Sequence, residues 1–157
     1  MSRSNPRYGL SMFLDLHVRL ACEADLDALF ALDVIAQREE SRRAFIAHSV
    51  ACGHCWAATD AANTAVLLGY GVLDKSFFGQ DFIALVVVGD SARRRGVGAA
   101  ILRGLESRSF GTKLFTSTNA SNLPMQALLA KCGFIGSGQV ENLDEGDPEL
   151  VFVKIRP

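Results

Sequence analysis

Residues 82–88 form the longest uninterrupted apolar run in this chain of 157 residues. A strand that is apolar on both faces has no side to show to water, so it belongs in the centre of a sheet. Directly after it come Gly89-Asp90-Ser91-Ala92 and then Arg93-Arg94-Arg95-Gly96-Val97-Gly98-Ala99, where Val97, Ile101 and Leu105 start a stripe at helical spacing. A buried strand that turns through glycines into an amphipathic helix is an α/β building block, and the remaining segments must be arranged around it.

Residues 14–20 alternate apolar and polar (Leu14, Leu16, Val18, Leu20), the pattern of a half-buried strand. A helix follows, with Leu26, Leu29, Phe30 and Val34 on one face and Glu23, Asp25 and Asp27 in its first turn, where the helix dipole favours negative charge. The pattern predicts a second helix over 41–52, with Phe45, Ser49 and Cys52 on one face and Gly53 as its stop. Residues 54–59 and 66–73 are β-rich and flank the turn-like Asp60-Ala61-Ala62-Asn63, which makes a hairpin, and 75–79 connect it to the central strand. A short strand over 114–117 leads to a helix over 123–132 (Met125, Leu128, Leu129, Cys132), closed by Gly133; strands over 134–140 and 150–155 complete the chain. The order β-α-α-β-β-β-α-β-α-β-β reads as one α/β domain over residues 13–157, a mixed sheet with helices on both faces, preceded by a polar segment, 1–12, expected to be flexible.

Composition narrows the function. With 49% hydrophobic and 21% charged residues the chain is not a disordered one, and a net charge of −1 gives no reason to expect a nucleic-acid partner. No apolar stretch is long enough to suggest a membrane span. Four scattered cysteines are too few for a disulfide scaffold and read as reduced thiols in a cytoplasmic protein. Cys52-Gly53-His54-Cys55 is at most half of a metal site and no second pair follows, so no metal is expected.

The chemistry lies in the turn after the central strand. A helix start leaves amide N–H groups unpaired, and these donors together with the dipole bind phosphate. Gly96 and Gly98 let a ligand approach the backbone, and three arginines add charge suited to a diphosphate. A P-loop would need Gly-x-x-x-x-Gly-Lys-Ser/Thr, and a dinucleotide fingerprint would need Gly-x-Gly-x-x-Gly; neither string occurs. Arg-x-x-Gly-x-Gly after an apolar strand does occur, and it resembles motif A of the GNAT family of N-acetyltransferases. Asn119-Ala120-Ser121-Asn122, followed by Met125, Leu128 and Lys131-Cys132-Gly133-Phe134, resembles motif B of the same family.

The resemblance implies the GNAT fold and acetyl-CoA as acyl donor. Arg93, Arg94, Arg95, Gly96, Val97, Gly98 and Ala99 would grip the pyrophosphate. The backbone of Val86, Val87 and Val88 would pair with the pantetheine arm like an added strand where the central strand and its neighbour diverge. Asn119 and Asn122 would contact the cofactor, and helix capping is an equal reading of Asn122. The expected reaction is transfer of an acetyl group to a small, cationic primary amine by direct attack in a ternary complex. Many relatives carry a tyrosine at the position of Leu129 to protonate the leaving thiolate. Its absence keeps a non-catalytic acyl-CoA-binding module as the alternative.

No base is designated. Asp81 and Tyr70 are the catalytic candidates and His54 is a further polar one; a solvated strand edge is the plain account of Asp81, and ordinary packing that of the other two. Five carboxylates in residues 141–149 make either a solvated loop or an acidic rim that draws a cationic amine, with Asp147 and Glu149 facing the acceptor and Glu39 and Glu40 contributing. The expected partners are acetyl-CoA and the amine, neither nucleic acid nor membrane is expected, and a homodimer is compatible with the chain.

Overall fold

A computed structural model describes residues 14–157, and the flexible segment expected over 1–12 lies outside the described residues. The strands are β1 (Leu16–Leu20), β2 (Cys55–Asp60), β3 (Asn63–Phe77), β4 (Gln80–Val88), β5 (Lys113–Asn119), β6 (Ile135–Val140) and β7 (Glu149–Ile155). The helices are α1 (Leu26–Leu32), α2 (Glu40–Ala51), α3 (Val97–Glu106) and α4 (Leu123–Lys131), and the element order is the one expected. One sheet runs β1-β2-β3-β4-β5-β7-β6, so the doubly apolar strand β4 does lie at its middle. Only the β4–β5 pair is parallel; every other neighbour is antiparallel.

Each face of the sheet buries its own set of side chains. Ala58 of β2 belongs to a cluster with Ile83, Leu114 and the α3 stripe Val97, Ile101, Leu102 and Leu105, which Leu129 of α4 completes. Its neighbour Ala57 points the other way, into a cluster with Tyr70, Val72, Leu29 of α1 and Ile46 of α2. That alternation is the period of two of a strand covered on both sides.

Three local expectations change. β3 continues through Lys75 to Phe77, and the turn tightens to Phe78-Gly79, where both residues have positive φ (51° and 72°). α2 buries Ile46 and Ser49 while Phe45 and Cys52 are exposed; the inward stripe is Arg42, Ile46, Ser49 and Val50, which turns Arg42 toward the sheet side. Asp25 is held by Arg19 through two contacts of 2.8 and 2.9 Å and accepts from the Cys22 N–H, so it braces the entry to α1.

Asp81 is not a solvated edge residue. It is buried at the start of β4, where it accepts from Lys75 Nζ at 2.7 Å, Ser109 Oγ at 2.6 Å and the Gly111 N–H at 2.9 Å. These bonds tie the α3–β5 connection to the central strand. Burial alone would lift the Asp81 carboxyl, but the Lys75 ammonium, the Ser109 hydroxyl and the Gly111 amide outweigh it and bring it down to about 2 from 3.8. A depressed folded value contributes stability above the unfolded value and loses it as pH falls from about 4 towards 2. Asp81→Asn should therefore lower the unfolding free energy at pH 7 by roughly 2 kcal/mol and flatten its decline below pH 4. Denaturant titrations from pH 7 to 2.5 check this, and identical pH profiles for the two proteins would count against it.

Candidate active site

The sheet opens beside β4. Parallel pairing with β5 covers Asp81↔Leu114, Phe82↔Phe115 and Ile83↔Thr116 and then ends, although β4 runs on to Val88 and β5 to Asn119. On its other side β4 pairs Leu85 with Val72 and Ile83 with Leu73, leaving Ala84 as an extra residue. Such a bulge bends a strand and sharpens its twist, which turns β4 away from β5. Thr116 Oγ1, donating to the Ile83 carbonyl at 2.9 Å, is the last tie before the split. Beyond it lies a cleft of about 480 Å³, walled by residues 84–88 on one side and 116–119 on the other, with the α1–α2 connection along its rim. Among the described residues the β5-facing backbone groups of residues 84–88 have no strand partner there.

The turn that leads into α3 borders the cleft through Asp90 and Arg93. Arg94 and Gly96 both have positive φ (60° and 81°), a backbone path of the kind that gathers N–H groups into an anion-binding concavity. No side chain caps α3, whose first internal bond runs from the Ala100 N–H to the Gly96 carbonyl at 3.0 Å, so the amides of Val97, Gly98 and Ala99 lack a side-chain partner. Arg93 lines the cleft and pairs with Asp90 at 3.3 Å; Arg94 and Arg95 are exposed beside it. The glycines divide their work differently from expectation. Gly96 is required by its φ, whereas a Cβ on Gly98 would lie 2.9 Å from Leu128 Cδ2, so Gly98 serves the α3–α4 contact. Val97 contributes only its backbone, because its side chain is core.

The other expected residues sort clearly. Val86, Val87, Val88, Asn119, Asn122 and Glu149 all line the cleft. Asn122 caps α4, accepting from the Met125 N–H at 3.2 Å, and Asn119 donates to Asp144 Oδ2 at 2.7 Å. Asp147 is engaged by the Ser121 N–H and hydroxyl at 2.9 and 2.5 Å, so it braces the acidic loop and does not line the cleft; neither do Glu39 and Glu40, which are exposed at the start of α2. Asp81 sits at the paired end of β4, and it and His54 line a separate depression. Tyr70 is fully buried with its hydroxyl donating to Asp33 Oδ2 at 2.6 Å, away from the cleft lining; burial and that bond push the phenol well above its usual range. Leu129 is wholly buried in the core, off the cleft wall.

Two cleft residues were missed by sequence reasoning. Asp33, at the end of α1, accepts from the Ile35 and Ala36 N–H groups, the Tyr70 hydroxyl and Arg42 Nη1. Burial alone would raise its carboxyl, and the Tyr70 hydroxyl, the backbone amides and the Arg42 charge hold it below the usual carboxylate range. The only signal was the spacing of Arg42 from Ile46, four residues on, which placed it on the inward stripe.

A parallel strand pair that splits beside an uncapped, arginine-flanked helix start defines a class: an α/β domain with free amide donors at a helix start and an open backbone edge between two strands. Residues 19–134 match the acetyltransferase (GNAT) family, and the chain belongs to that family; it is an acetyl-CoA-dependent N-acetyltransferase. A GNAT-family acetyltransferase from Bacillus cereus is 37% identical, with a TM-score of 0.82 over 90% of this chain and 98% of its own. Two more distant structures share the fold. NAA60 of Arabidopsis thaliana, solved with a bisubstrate analogue, is 19% identical with a TM-score of 0.72, over 90% of this chain and 98% of its own. YncA of Salmonella typhimurium, solved with its cofactor acetyl-CoA, is 15% identical with a TM-score of 0.70, over 90% and 94%. No curated protein matches the sequence. Among the described residues no helix is long and apolar enough to cross a membrane.

Gly96→Leu puts a side chain at a φ of 81° and in front of the free amides. The substitution should cost roughly 1–3 kcal/mol of stability through backbone strain while leaving the fold in place, and should abolish measurable acetyl-CoA binding. Calorimetric titration with acetyl-CoA alongside a thermal melt checks it; unchanged affinity would remove the helix start from the binding site.

Proposed function

We propose that the enzyme acetylates a small primary amine that arrives as a cation, with donor and acceptor held together in the cleft for direct attack. The observation that carries this reading is the split between β4 and β5, which opens a cleft lined from Arg93 to the α1–α2 rim. Acetyl-CoA supplies the activated acetyl group as a thioester. The α3 amides and Arg93, Arg94 and Arg95 are suited to its diphosphate. The backbone of Val86, Val87 and Val88 is available to its amide arm, and Asn119 and Asn122 lie along the opposite wall.

Of the carboxylates first assigned to the acceptor, Glu149 is the one on the cleft wall, opposite Asn119 in the β5–β7 register. Among the described residues its side chain makes no hydrogen bond or ion pair, so it is available to draw an ammonium group and to accept its proton. A buried Leu129 leaves the thiolate to be protonated by water entering the open cleft. The four cysteines form no disulfide, in keeping with a cytoplasmic enzyme, and a homodimer remains compatible with the fold.

An amine panel assayed for free CoA release tests the reaction. Cationic amines should be acetylated in preference to neutral ones, and Glu149→Gln should reduce kcat/KM for them by roughly 10²-fold or more while acetyl-CoA affinity is unchanged. Equal rates for cationic and neutral amines, or full activity of the Glu149→Gln protein, would refute the assignment.

A further inference from the structure

The α1–α2 rim carries a guanidinium that no part of the reaction described above employs. Arg42 lines the cleft with its side chain 22% exposed, and its Nη1 donates to Asp33 Oδ2 at 2.9 Å. Among the described residues its Nε and Nη2 have no hydrogen-bond partner. Asp33 beneath it is saturated: its carboxylate also takes the Tyr70 hydroxyl and the Ile35 and Ala36 amides, at 2.6, 2.8 and 3.2 Å. Its negative charge is thus spread over four donors, while Arg42 has spent one of its five.

A buried ion pair of this kind contributes little net stability, because desolvation offsets the attraction. Its effect is orientation: one nitrogen of the guanidinium is held by Asp33 while the side chain lines the cleft. A planar cation with donors in a fork matches a carboxylate. The α3 start has its own arginines, whereas Arg42 reaches Asp33, which sits over Tyr70 on the face of the sheet covered by α1 and α2. Across the cleft from it, on the β5–β7 side, stands Glu149.

From this juxtaposition the geometry points to an amino carboxylate as the acceptor, its ammonium drawn to Glu149 and its carboxylate bound by Arg42. The inference rests on the acetyl-transfer reading and names the acceptor class within it. Arg42 is a specificity-determining residue, and Asp33 and Tyr70 position it.

The test compares glycine, 3-aminopropanoate and 4-aminobutanoate with their carboxamides and with n-alkylamines of matching length. Each is assayed for CoA release and, separately, for binding to the CoA-saturated protein by calorimetry. At least one carboxylate should be preferred to its carboxamide by roughly tenfold or more in kcat/KM, through KM. Arg42→Gln should reduce that preference to less than about twofold while acetyl-CoA affinity is retained; Arg42→Lys, which keeps charge without the fork, should restore part of the preference. The calorimetric ranking should match even where turnover is absent. Carboxylate binding without turnover of any amine would support the acceptor class while refuting acetyl transfer to it. Equal binding of carboxylate and carboxamide by the wild-type protein, or an undiminished preference in Arg42→Gln, would overturn the inference.

Discussion

Everything functional in this molecule follows from the point at which β4 stops pairing with β5. Up to Ile83 and Thr116 the two strands behave as ordinary parallel neighbours. Past that point β4 continues with one edge bare, and a bare edge inside a sheet is costly: an unmet backbone donor or acceptor withdrawn from water costs about 1–3 kcal/mol. The gap is bearable only where water or a ligand with amide groups meets that edge. The sheet therefore opens, at its centre, onto a stretch of β4 edge that β5 does not meet.

A wedge of this kind needs a firm closed end. Asp81 supplies it by binding Lys75, Ser109 and Gly111, which fixes where β5 begins relative to β4. At the open end α3 has a double task. Its stripe of Val97, Ile101 and Leu105 is buried against the sheet, while its first turn has no side-chain cap. Because close-packed interiors yield little, the same contacts that stabilise the core hold the free amides in place. Val97 shows both features at once, with a side chain in the core and an N–H that no side chain caps.

The elements were legible in the sequence because they depend on local periodicity. The doubly apolar run announced a central strand, and Gly96, Gly133 and the Asp60-Ala61-Ala62-Asn63 turn marked the ends of elements. Register and long-range charge pairing were not legible. Nothing local distinguishes an Asp81 that is knotted to residues 28 and 30 positions later from a solvated one, or an Asp147 that braces Ser121 from one that faces a substrate. The bulge at Ala84 likewise depends on how β3 and β4 align, a property of two strands. Asp33 and Arg42 were passed over for the same reason: their meaning arises only when Tyr70, 37 residues from Asp33, arrives beneath them.

The shape and the charge of the α1–α2 rim are coupled through that same carboxylate. One oxygen of Asp33 receives the Ile35 and Ala36 amides and so shapes the chain as it leaves α1; the other receives Tyr70 and Arg42. The loop conformation and the guanidinium position are thus two consequences of one group. Swapping the trio for well-packed apolar side chains need not destabilise the fold, but removing a single member strands the others in a poorly solvated place. An arrangement with so little to offer stability, set on the rim of the cleft, is best understood as a means of holding Arg42 still against whatever it binds.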